Sequence, residues 1–168
     1  MNIIQTVTEE EVRSALQDVM DPEIPYLSIV DLGILHKVAV GEGSIDVELL
    51  PTFAGCPALD YIKDSVRERL QALAPEHTIG VRATFEEPWT SDRISEKGRE
   101  VLKQSGFAPP QRTMPAPRGN IIQLTQVVEC PYCNSRKTVM ENAFGPTLCR
   151  AIYYCHNCRQ PFEQFKQV

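Results

Sequence analysis

The sequence predicts an α+β protein built in two parts, and three observations carry that prediction. Apolar residues recur at helical spacing in two segments of the first half. Between and after those segments lie three short stretches of alternating polarity, the period of a half-buried strand. The last fifty or so residues instead hold short strand patterns around two Cys-x-x-Cys pairs, and Pro109, Pro110, Pro115 and Pro117 precede them.

Thr8 opens the first helix, with Glu11 three residues on at the spacing of a capping box. Val12, Leu16, Val19 and Met20 follow at helical intervals. Asp21-Pro22 then stops the helix, because the residue before proline is pushed out of the α region. Glu23 to Gly33 reads as an irregular apolar stretch. Ile34–Val40 and Ser44–Leu50, joined by Gly41-Glu42-Gly43, predict a β-hairpin. One face takes Ile34, Val38, Val40, Ile45, Val47 and Leu49, while Lys37, Asp46 and Glu48 point the other way. His36 falls on the apolar face and reads as a core histidine satisfied by hydrogen bonding.

Pro51 to Pro57 forms a loop that opens a second helix, where proline suits the first position because its missing N–H would be unpaired there. Leu59, Ile62, Val66, Leu70 and Leu73 make its stripe, and Pro75 ends it. Thr78–Phe85 alternates again, with Ile79, Val81, Ala83 and Phe85 inward. In the order α-β-β-α-β the second helix is the crossover between strands two and three, which should therefore run parallel.

Trp89 is expected to pack the following connection onto the first domain. A short polar helix is expected from Ser95 to about Gln104, ending at Gly106, and the prolines then mark an extended linker. In the last part, Cys130-Pro-Tyr-Cys133 and Cys155-His-Asn-Cys158 form two knuckles, since a two-residue gap turns both sulfurs of a pair toward one point. Four thiolates are the tetrahedral set that structural zinc prefers, and the same set can hold an iron–sulfur cluster; two surface dithiols or a pair of disulfides are the plain alternative. The 21 residues between the knuckles suffice for two strands and a turn. A module this small has little core and needs a metal to fold. The expected architecture is a small α-β-β-α-β domain (1–90), a short helix with a proline-rich linker (91–118) and a C-terminal zinc-ribbon-like β module (119–168).

At 168 residues with 42% hydrophobic and 23% charged content, the chain has the composition of a soluble globular protein. No basic region followed by an apolar core opens the sequence, and no apolar run approaches the roughly 20 residues that span a bilayer. A cytoplasmic location without membrane contact is therefore expected, and paired cysteines there read as metal ligands. Residues 1–90 carry 6 Lys/Arg against 16 Asp/Glu, a balance of −10 within a net charge of −5. So acidic a half argues against nucleic acid as partner, because gripping a phosphate backbone needs clustered cations. It suits a protein partner or a cation.

Cys56 stands at the entrance to the second helix, where partial positive charge lowers a thiol's pKa and makes it a better nucleophile or metal ligand. A small, inert cap residue is the plain alternative. One cysteine cannot hold a cluster, so a metal role needs other ligands or a second subunit, as in a homodimer. Asp21, Glu23 and Asp31 flank the first loop, either as a carboxylate patch or as turn-forming residues. Cys149 is a fifth thiol in the last module, read as a small buried hydrophobe or as a thiol that exchanges with a knuckle or serves a cluster. His156 should face solvent. With no Ser-His-Asp set and no phosphate-binding glycine loop, the chain does not read as a free-standing catalyst.

At Asp21-Pro-Glu-Ile-Pro25, Ser28-Ile-Val-Asp-Leu-Gly-Ile34 and Pro51-Thr-Phe-Ala-Gly-Cys-Pro57 the sequence resembles the iron–sulfur maturation domain of SufT and its relatives, over about residues 8–88. With Phe144–Ala151 and Cys155–Phe165 added, it resembles the PaaD family, accessory proteins of the bacterial phenylacetyl-CoA epoxidase. The resemblance implies a maturation factor in aerobic phenylacetate breakdown that assists iron or iron–sulfur cluster insertion into the oxygenase or its reductase. Its partners would be those subunits and the iron–sulfur assembly machinery. It also implies Cys130, Cys133, Cys155 and Cys158 as zinc ligands, Cys56 and Cys149 as transient metal or cluster contacts, and Asp21, Glu23 and Asp31 as an acidic loop. The rival readings are a non-catalytic structural subunit of the epoxidase and an iron–sulfur carrier using the C-terminal cysteines.

Overall fold

A computed structural model describes residues 7–112 and 127–166. It divides the chain into two compact units. The first holds the described residues to Trp89 together with Arg93–Gly98, and the second holds Thr90–Asp92 and the described residues from Arg99 on. Pro115, Pro117 and the strand patterns expected from 119 to 126 lie outside the described residues.

The first unit begins with helix α1 (Glu9–Leu16), capped as expected: the Thr8 hydroxyl accepts the Glu11 N–H, and the Glu11 carboxylate accepts the Thr8 N–H. Val12 and Leu16 are fully buried. The helix ends earlier than its apolar spacing suggests. Gln17, Asp18 and Val19 each bond to the carbonyl three residues back, which tightens and closes the last turn. Met20 is thereby taken off the helix and into strand β1 (Met20–Asp21), 39% exposed. The stretch read as irregular contributes β2 (Ile24–Ser28), antiparallel to β1.

The hairpin is present as β3 (Leu35–Gly41) and β4 (Ser44–Leu49), with Val38 opposite Val47 and Val40 opposite Ile45. A register shift between Leu35 and Lys37 corrects the reading of His36. The shift lets Leu35 take the inward place, and His36 turns to a half-exposed position. Its Nδ1 lies 3.3 Å from the Glu87 carboxylate and 3.4 Å from Arg93 Nη2.

Helix α2 (Leu59–Leu73) buries Ile62, Val66 and Leu70 and returns the chain to β5 (Thr78–Ala83), parallel to β4. The sheet order is β3-β4-β5. α1 packs on α2 and β3, and α2 on β5, so the helices cover one face of this sheet. On the other face Lys37, Glu48 and Arg82 make one cross-strand row, with Glu48 paired to Arg82. Phe85 is 58% exposed rather than inward, because the strand ends at Ala83, one residue before Thr84 bonds its N–H to the Leu49 carbonyl. Trp89 is buried in this unit, its indole N–H donating to the Leu32 carbonyl at 3.3 Å.

After a 3-10 turn (Ser91–Arg93), helix α3 (Glu96–Gln104) stands almost where the sequence places it. The second unit's sheet has the order β6-β9-β8-β7, from β6 (Phe107–Ala108), β7 (Thr138–Asn142), β8 (Arg150–Cys155) and β9 (Pro161–Phe165). β6 runs parallel to β9 and comes from the stretch expected to be linker; the other pairs are antiparallel. One buried cluster gathers Ala108, Val128, Ala151, Tyr153 and Phe162 with the ligand candidates Cys130 and Cys155, and Leu102 and Phe165 of the same unit are also buried.

Candidate metal centre

The two Cys-x-x-Cys turns are built alike. In the first, the Cys130 N–H bonds to the Ser135 carbonyl (3.0 Å) and the Asn134 N–H to the Cys130 carbonyl (2.9 Å). In the second, Cys155 bonds to Gln160 (3.0 Å) and Arg159 to Cys155 (2.8 Å) in the same pattern. Asn134 and Arg159, each just after the second cysteine, take the left-handed φ values of 57° and 59° that turn the chain back. β8 runs directly into the second turn, and β7 leaves the first, so pairing β7 with β8 brings the turns together.

The four sulfurs converge. Cys130 and Cys158 stand 3.6 Å apart, as do Cys133 and Cys155, and all four sulfurs lie within 4.8 Å of one another. Four bonds of about 2.3 Å at tetrahedral angles put sulfurs about 3.8 Å apart, so the set fits one metal ion. Cys130 and Cys155 are fully buried, while Cys133 and Cys158 form a half-buried rim.

The pKa of Cys133 is shifted in the opposite direction from those of Cys130 and Cys158. The Asn157 side-chain amide, 3.5 Å from Cys133, and then the Ser135 N–H bring the Cys133 thiol down to about 6. Burial, and then the neighbouring sulfurs as hydrogen-bond partners, push Cys158 up to about 12, and burial also raises Cys130. Metal binding at Cys130 and Cys158 must therefore displace protons that the protein environment favours.

The other candidates stand apart from this group. Cys149 is buried just before β8, its sulfur 3.1 Å from the Thr147 hydroxyl. Six residues of extended chain, at about 3.3 Å each, separate it by about 20 Å from Cys155. Cys56 is half-buried in the loop before α2, where its carbonyl accepts the Leu59 N–H and its own N–H reaches Phe53. Asp21 is buried and accepts the N–H groups of Glu23 (2.8 Å) and Ile24 (3.1 Å), fixing the β1–β2 turn. Glu23 follows it, half-buried. Asp31 accepts from the Ser28 and Ser95 hydroxyls (3.0 and 2.8 Å) and from Lys97 (2.9 Å). Burial pushes the Asp31 carboxyl up, but Lys97, Ser95 and Ser28 outweigh it and hold it below the usual carboxylate range. Among the described residues, the four ribbon cysteines are the one gathered set of His, Cys, Asp or Glu ligands, so Cys56 and the acidic loop form no second one. No helix among them is long and apolar enough to cross a membrane.

Sequence reading missed Asn157, whose only signal was a polar amide inside a knuckle.

A small α/β unit joined to a four-sulfur β module defines a class, and the comparisons identify both halves. Residues 9–81 match the model of the iron–sulfur cluster assembly protein family, and residues 115–166 match the PaaD zinc beta ribbon domain. The chain is 35% identical, over 94% of its length, to 92% of an Escherichia coli (strain K12) protein named as one subunit of a "Putative 1,2-phenylacetyl-CoA epoxidase". The chain belongs to the PaaD family. Its first part is also 36% identical to an Fe-S protein maturation auxiliary factor of Porphyromonas gingivalis, over 60% of this chain and 92% of that protein. The crystal structure of a domain of unknown function, DUF59, from Bacillus anthracis superposes on 56% of the chain and 90% of its own length, with TM-score 0.53 and 29% identity.

Proposed function

We propose that this chain is a non-catalytic maturation factor of a phenylacetyl-CoA epoxidase, assisting iron or iron–sulfur cluster insertion into the oxygenase or its reductase. The observation that carries the reading is the division of its thiols. Four sulfurs close on one point in the second unit, while Cys56 stands half-exposed in a unit whose relatives are iron–sulfur maturation factors. The quartet holds zinc as a fixed structural ion. Its sulfur spacing favours a single ion over a cluster, because a cluster spreads its ligands by more than one tetrahedral edge. Cys56 touches metal or cluster briefly, with Asp21, Glu23 and Asp31 shaping an acidic loop of the same unit.

The test replaces Cys56 with Ala in cells making the whole epoxidase, followed by elemental analysis of the purified oxygenase and reductase. Reduced iron occupancy with a folded variant supports the proposal, and normal occupancy defeats it. Anaerobic purification of the chain itself, with metal analysis and visible absorption, separates zinc from iron in the quartet. A second reading, a structural epoxidase subunit, has the name of the Escherichia coli relative in its favour. Co-purification at fixed stoichiometry, indifferent to Cys56→Ala, would select it.

A further inference from the structure

The two knuckles share one backbone design, so any difference between them must come from side chains. The residue before the second cysteine is Tyr132 in one and Asn157 in the other. Tyr132 packs against Gly106, where an added Cβ would come within 2.9 Å of the phenol oxygen. Asn157 instead reaches across to the opposite knuckle, where its Nδ2 donates to Cys133 Sγ at 3.5 Å. Backbone N–H groups two residues on serve each rim sulfur, Ser135 for Cys133 and Gln160 for Cys158. Cys133 thus gains a side-chain donor from across the centre. The contact sits on the solvent side, since Cys130 and Cys155 are fully buried and Cys133 is half-exposed.

We propose that Asn157 is a positioning residue that latches the open side of the metal centre, holding Cys133 on the ion and shielding its sulfur. The inference rests on the quartet holding a metal, as proposed above. A metal ion leaves such a site by losing a rim ligand first, and that ligand is lost when its sulfur swings away or is taken by a competing electrophile. An N–H already on that sulfur hinders the attack and keeps the two knuckles tied across the rim. Groups of this kind, one shell beyond the ligands, typically change metal affinity 10- to 100-fold when removed.

The experiment uses the full chain loaded with zinc alone, and separately with cobalt(II). Zinc release to an excess of a chromophoric chelator is timed, and the iodoacetamide-modified cysteines are located by peptide mass. Asn157→Ala should release zinc about tenfold faster, with alkylation rising first at Cys133. Its cobalt form should keep tetrahedral ligand-field bands while the sulfur-to-cobalt charge-transfer band moves to lower energy, because the sulfur becomes more electron-rich. Asn157→Leu keeps the approximate shape and loses the donor without adding charge or a ligand, so it gives the same answer should the alanine variant assemble poorly. His156→Ala, on the exposed neighbour, should behave as the unaltered protein. Unchanged release from both Asn157 variants, or equal acceleration in His156→Ala, overturns the latch. An unaltered chain that takes up no metal overturns the metal reading beneath it, a result distinct from the first.

Discussion

Removing the metal should unfold the second unit and leave the first intact. Two of the seven residues in the buried cluster around the knuckles, Cys130 and Cys155, are ligand candidates, and two of the remaining five are alanines; Leu102 and Phe165 add little more buried apolar surface to the unit. Apolar burial of that size falls short of ordering a four-stranded sheet, since small domains without large cores need staples. A structural zinc contributes on the order of 10–16 kcal/mol near neutral pH, as much as the roughly 5–15 kcal/mol net stability of a whole domain. Loss of the ion therefore carries this unit past its midpoint. The first unit has its own core, with Leu16, Leu27, Ile45, Leu49, Val66 and Leu70 all essentially inaccessible.

The assay is hydrogen exchange on the full chain with a reductant present, before and after a strong chelator. Amides of β8 and β9 should lose protection, while those of α2 and β4 keep theirs. Trp89, the single tryptophan, is buried in the first unit and should hold its emission. Protected β8 and β9 amides in protein shown by elemental analysis to be free of metal would refute the reasoning.

Two further outcomes concern the first unit. Asp31→Asn should cost about 1.5–3 kcal/mol, the range for hydrogen bonds to a charged group, with the mostly exposed Lys97 contributing least. The carboxyl is held low in the folded state, so its stabilising effect is full above the unfolded value of about 3.9 and disappears as pH falls through the lower folded value. Urea midpoints measured from pH 6 downward should fall more steeply for the unaltered protein than for Asp31→Asn, and identical slopes would contradict this. Gly33→Ala should cost about 2–4 kcal/mol, combining a left-handed backbone penalty with overpacking. Gly33 has φ of 77°, and an added Cβ would sit 2.6 Å from both Cβ and the carbonyl oxygen of Arg93. An unchanged thermal midpoint would show that the backbone there yields freely.

Local order was legible where one residue's neighbours in sequence decide its place. The Thr8–Glu11 capping box, the α2 stripe and the parallel β4–β5 pair all follow from spacing and chain connectivity. Reading failed where a distant or competing contact decides. Met20 has helical spacing from Leu16, yet the bonds of Gln17 to Val19 close the helix before it. His36 and Leu35 compete for one inward place, and only the register against β4 selects Leu35. β6 has two residues, too few for any period, and its partner β9 lies beyond both knuckles. Asp31 was legible as a turn residue through Ser28, but Ser95 is 64 positions further along. At the metal centre spacing predicted the quartet, while the Asn157 contact exists only once two separate turns face each other.

That last contact bears on why transient and permanent binding should fall to separate sites. A centre with two buried and two rim sulfurs releases its ion only by breaking every bond, and its sheet is expected to unfold when it does. Used as the delivery site, it would dismantle its own module with each transfer. A half-exposed thiol in a unit with an independent core carries no such penalty, because ligand loss there leaves the packing of α1, α2 and the β3-β4-β5 sheet untouched. Asn157 suits permanent binding, since a side-chain bond that slows departure is useful where the ion is meant to stay. If Asn157→Ala accelerated zinc loss and also lowered client occupancy while Cys56→Ala did not, the quartet would be the donor and the two sites would exchange roles.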